Sequence, residues 1–133
     1  MSQHASGSFD VKVTPQQPDS DVARAANLPR LTLDKQYHGD LDAISKGEML
    51  ASNMGKEPSG GYVALERVTG KLNGKKGSFV LLHDTIMVKG VPNMNIYVVP
   101  DSGTDELKGL SGKMKIIIAP GGKHSYEFDY TLE

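Results

Sequence analysis

Apolar and polar residues alternate with a period of two along most of this chain, the pattern of half-buried strands rather than of helices. Phe9, Val11 and Val13 open the pattern, and Pro15 and Pro18 are expected to end that first strand, because proline removes a ladder donor. Residues 19–29 are the most polar stretch and read as a helical turn or surface connection before Pro29. Leu31, Leu33, Lys35 and Tyr37 share one face of a second strand. Gly39 and Gly47 bracket a bend into a third strand that includes Met49 and Ala51, and Gly55 to Gly61 is the next expected loop.

Two strong strands then flank Leu72-Asn-Gly-Lys-Lys-Gly77, and Asn-Gly is the strongest short-range hairpin signal. Pairing Leu72 with Gly77 puts Glu66 opposite His83, Ala64 opposite Thr85 and Tyr62 opposite Met87. Opposed Cβ atoms lie about 5 Å apart, within reach of a carboxylate–imidazole hydrogen bond. The same register predicts an Arg67–Asp84 pair on the other face, beside Leu65 and Leu82. Gly90-Val-Pro-Asn93 is the expected turn into Met94, Ile96 and Val98. A further strand carries Met114, Ile116 and Ile118, and Gly121-Gly122 closes a hairpin onto Tyr126, Phe128 and Tyr130. About eight short strands with tight turns predict an all-β fold, a single antiparallel closed β-barrel over residues 1–133, since closure removes exposed strand edges.

Composition supports one ordinary globular domain: of 133 residues, 38% are hydrophobic and 23% charged. A formal charge of -1 offers no basic excess for a phosphate backbone or an anionic bilayer, so neither nucleic acid nor membrane is an expected partner. No cysteine is present, which removes disulfides and thiolate chemistry and fits a reducing compartment. Met1–Gly7 is polar, and no apolar run approaches the ~20 residues of a membrane helix. A cytoplasmic protein is therefore expected. The four histidines lack zinc-like spacing, and no P-loop or Ser-His-Asp arrangement can be assembled, so no metal or cofactor is expected.

Several ordered motifs carry a resemblance: Gly61-Tyr-Val-Ala-Leu-Glu66, Gly70-Lys-Leu-Asn-Gly74, Gly77-Ser-Phe-Val-Leu-Leu-His83, Val99-Pro-Asp-Ser-Gly-Thr104, Glu106-Leu107 and His124-Ser-Tyr126. Over nearly its whole length the chain resembles a bacterial domain family of unknown function whose barrel is similar to that of allene oxide cyclase. The resemblance implies the fold and assigns no reaction. The chain departs from the family pattern at Leu82, Thr85 and Asp105, and Leu82 to Val98 is rich in Ile, Val and Met. These departures suggest a divergent or deliberately altered member with a more apolar pocket or interface.

An eight-stranded barrel has room inside for side chains or one small ligand. The first functional reading is therefore binding of a small lipophilic molecule, steroid-like or isoprenoid, in the interior. Its polar anchors are Tyr62, Glu66 and His83. Its remaining lining is Phe79, Leu81, Thr85 and Met87 on one strand and Met94, Ile96 and Val98 on the next. A second reading takes Glu66 and His83 as the catalytic pair of an isomerase or cyclase, because a carboxylate orienting an imidazole makes a general base. A third makes the chain a homodimer through Ile86, Val88, Met94 and Ile96 on the outer face. Which face of the 78–99 hairpin points inward depends on the length of the turn after Gly90.

Overall fold

The structure is a computed structural model that describes residues 2–53 and 57–133. Part of the loop expected over Gly55 to Gly61 lies outside the described residues. The elements are β1 (Ser2–Gln16), α1 (Asp21–Ala26), β2 (Arg30–Tyr37), β3 (Leu41–Ala51), β4 (Gly60–Leu72), β5 (Lys75–Val88), β6 (Val91–Val98), a single 3-10 turn (Asp105–Leu107), β7 (Ser111–Ile118) and β8 (His124–Thr131). Each strand pairs antiparallel with its neighbours in sequence, and β1 with β8 closes the expected barrel.

Closure depends on the length of β1. Residues 2–9 pair with β8 and residues 9–16 with β2, so one strand serves both sides of the seam. Residues 2–8 lack the apolar alternation that marks a strand, and of these only Ala5 is a core side chain. The strand ends at Gln16, between the expected stops Pro15 and Pro18, and Pro15 itself stands opposite Leu31. Beyond Phe9 this strand has a neighbour on one side only, so a missing amide hydrogen is tolerated there. The polar 19–29 segment forms the short α1, with Ser20 Oγ accepting from the Ala23 amide and Asn27 closing it in a left-handed conformation.

Both central hairpins use tight two-residue turns. Asn73 and Gly74 have φ of 48° and 84°, and Lys89 and Gly90 have 49° and 82°, the left-handed pairs that match strand twist. Leu72 therefore pairs with Lys75, not Gly77, and the β4–β5 register is two residues tighter than expected. An even shift keeps every side chain on its expected face. The Lys89–Gly90 turn, placed earlier than the expected Gly90–Asn93, sets Ile96 opposite His83 and Val98 opposite Leu81, all facing inward. This corrects the outer-face homodimer set: Ile96 is buried, Met94 shares its inward side at the rim, and Ile86 and Val88 do face solvent.

Side chains fill much of the interior. Phe128 stacks between Phe79 and Tyr130, with ring centroids 5.9 and 5.2 Å away. Tyr126 Oη donates to the His38 carbonyl at 2.7 Å and accepts from the Leu41 amide at 2.9 Å, tying β8 to the β2–β3 turn.

Candidate functional site

The inward face of β2 reads Leu31, Leu33, Lys35, Tyr37, and all four side chains are buried. Period-two alternation thus carries an ammonium group into the barrel, where a lone charge would be costly without a partner. That partner is Glu66, which the inward face of β4 delivers. Lys35 Nζ donates to Glu66 Oε2 at 2.8 Å, and His83 Nε2–H donates to the same oxygen at 2.5 Å. Tyr37 Oη donates to Oε1 at 2.6 Å and Ser45 Oγ donates to it at 2.7 Å. Four donors use the roughly four acceptor sites of an ionised carboxylate. The Phe9 ring centroid, 5.0 Å from Lys35 Nζ, adds a cation–π contact.

Glycine makes room for this cluster. Gly47 lies opposite Glu66, and a Cβ there would fall 2.3 Å from the Leu65 carbonyl oxygen and 2.8 Å from Glu66 Cβ.

Burial pushes the Glu66 carboxyl upward, but the His83 hydrogen bond and the Lys35 charge outweigh it and hold the pKa at about 2. Burial first, and then the neighbouring carboxylate, raise the Tyr37 hydroxyl well above its usual value. A depressed acid stabilises the fold above its unfolded pKa and loses that contribution as pH falls toward the folded value. From 4.5 down to about 2 the contribution is worth about 3 kcal/mol, most of it gone by pH 3. Urea unfolding at pH 6 and pH 3, with carbon NMR of the Glu66 carboxyl, checks this. A carboxyl titrating near 4.5 would contradict it.

The structure divides the expected site residues into three groups and sets Met94 apart from all three. Phe79, Leu81, Ile96 and Val98 belong to the packed core and fill space rather than border it. Glu66 and His83 meet, as diagonal rather than directly opposed neighbours, because Glu66 stands opposite Leu81 and His83 opposite Ala64. With all its acceptor sites engaged, Glu66 can position His83 but is poorly suited to accept a proton itself. The expected Arg67–Asp84 pair does not form: Arg67 stands opposite Val80, and Asp84 accepts instead from Asn95 at 2.9 Å and Tyr97 at 2.5 Å.

Tyr62, Thr85 and Met87 form the third group. With Met49 and Ala51 they line a pocket of about 230 Å³ at the barrel mouth, bordered by Asn53, Glu57 and Ser59. Thr85 is 3% exposed, and its Oγ1 has no hydrogen-bond partner among the described residues. Met94, at the rim, borders a separate outer cleft with Lys113 and Glu127. Sequence reasoning missed Lys35, Tyr37 and Ser45 as members of the buried cluster and Met49 as a pocket wall. The placing of Lys35 between Leu33 and Tyr37 was the available signal.

Among the described residues no helix is long and apolar enough to cross a membrane, and no group of side chains is arranged to hold a metal ion. No curated protein matches the chain. A crystal structure of a protein with unknown function from Shewanella oneidensis MR-1 is 45% identical, with a TM-score of 0.89 over 100% of this chain and 98% of that one. That protein is described as a member of the DUF3224 family. The model of the same family, "Protein of unknown function (DUF3224)", matches residues 5–130, and the chain therefore belongs to the DUF3224 family.

Proposed function

We propose that this chain binds one small, mostly apolar molecule carrying a single hydrogen-bonding group in the pocket at the barrel mouth. The observation that carries this reading is Thr85, which walls the pocket with Met49, Tyr62 and Met87 and whose buried hydroxyl lacks a partner among the described residues. An unpaired buried hydroxyl costs roughly 1–3 kcal/mol, a cost that a ligand oxygen removes when the flexible Met87 beside Thr85 shifts to admit it. Methionine suits such a wall because its unbranched thioether adapts to irregular shapes. At about 230 Å³ the space is smaller than the roughly 300–1,000 Å³ of common ligand pockets, which favours a short isoprenoid over a steroid-like molecule.

The probes are geraniol, an isoprenoid alcohol, and the related hydrocarbon myrcene. At a hundred times its dissociation constant a ligand stabilises the fold by about 2.7 kcal/mol, a Tm rise of several degrees. Thr85→Val should stabilise the free protein by about 1 kcal/mol and weaken geraniol roughly fivefold, leaving myrcene unchanged. Absence of any thermal shift with such compounds, or equal geraniol affinity in the variant, would refute the reading.

A further inference from the structure

The outer face of β3, β4 and β5 is apolar where alternation calls for polar residues. Leu50, Val63 and Leu65 are 42%, 54% and 52% exposed. With half-buried Val80 and Leu82 they floor a shallow depression of about 650 Å³. Charged side chains rim it, and most find partners within the chain: Lys46 meets Asp34 at 2.8 Å, while Arg30 meets Asp19 at 3.3 Å and Glu48 at 3.6 Å.

Arg67 and Asp84 are the exceptions. Among the described residues Arg67 has no ion pair, and Asp84 accepts hydrogen bonds from Asn95 and Tyr97 but meets no cation. Leu65 and Leu82 oppose each other at the centre of the face. Because β4 and β5 run antiparallel, Arg67 and Asp84 lie on opposite sides of that leucine pair, one opposite Val80 and the other opposite Val63. Four residues along a strand, about 13 Å, separate their levels, too far for an ion pair within one chain. Opposite unpaired charges on either side of an apolar centre make a self-complementary surface, the requirement of an isologous contact.

We propose that this face binds a second copy of the same chain about a two-fold axis running along the Leu65–Leu82 row. Such a rotation reverses the strand direction and brings the Arg67 of each copy to the level of the other's Asp84, one strand spacing of about 4.8 Å to the side. An arginine side chain spans that offset. The leucines and Val63 form the dry centre, the partnered Lys46 and Arg30 stay at the rim, and Glu48, beside Leu65 in the axial row, keeps its carboxylate on Arg30 of its own chain.

Sedimentation velocity of the full chain, at concentrations up to about 100 µM, should show a dimer. Leu65→Glu alters an exposed side chain and should leave a folded monomer. Arg67→Asp and Asp84→Arg should each weaken the dimer about tenfold or more, since each places like charges together. Mixing these two variants should restore dimers, because a mixed pair puts opposite charges together at both contacts. A wild-type chain that stays monomeric, a dimer indifferent to Leu65→Glu, or a mixture that fails to re-associate would overturn the proposal.

Discussion

Replacing Glu66 with alanine should cost about 3–5 kcal/mol, enough to remove a large fraction of the stability of a domain this size. The loss does not come from the carboxylate alone. Without it the Lys35 amine, 5% exposed, is left in the barrel with no counterion, and the His83, Tyr37 and Ser45 donors all lose their acceptor. Glu66→Leu combined with Lys35→Met should cost less than Glu66→Leu alone, because the double variant leaves no uncompensated charge, although the His83, Tyr37 and Ser45 donors stay without their acceptor in both. Chemical denaturation of the two single variants and the double variant makes this a thermodynamic cycle. Additive losses would mean that the buried pair is not coupled as the 2.8 Å contact implies.

Phe128→Ala should cost a similar 3–5 kcal/mol for a different reason. Phe128 is fully buried, stacked between Phe79 and Tyr130, so truncation leaves a cavity that the stiff barrel wall cannot collapse into. Its effect should be confined to stability: the midpoint of urea unfolding falls while its slope is unchanged. The pocket at the mouth shares no lining residue with this stack, so binding there should survive in the folded variant. A loss under about 1 kcal/mol would show that this end of the barrel is loosely filled.

Much of the fold was legible because strand periodicity is local. Leu31 to Tyr37, Asn73-Gly74 and Gly121-Gly122 each announce their element within a few residues. The Glu66–His83 contact was also legible, and it survived an error of two in the register because the strand period is two. The first half of β1 was not, since its residues are polar and its reason for being a strand is the backbone of β8, at the far end of the chain.

The buried cluster shows the same division. A carboxylate and a histidine on facing strands can be read from one hairpin, whereas Lys35 and Ser45 come from β2 and β3 and join only when the sheet curls around Glu66. Alternation assigned Lys35 to the inward face, but burial of its charge follows from closure.

Local sequence thus determined most of the strands, the presence of the tight turns that join them and which side chains of one strand share a face, because these depend on neighbours one to four positions away. Tertiary structure alone decided which inward side chains are packed into core, which join the buried cluster and which border an opening. It also parted Arg67 from Asp84. Those outcomes depend on register and barrel curvature, which only the closed sheet sets.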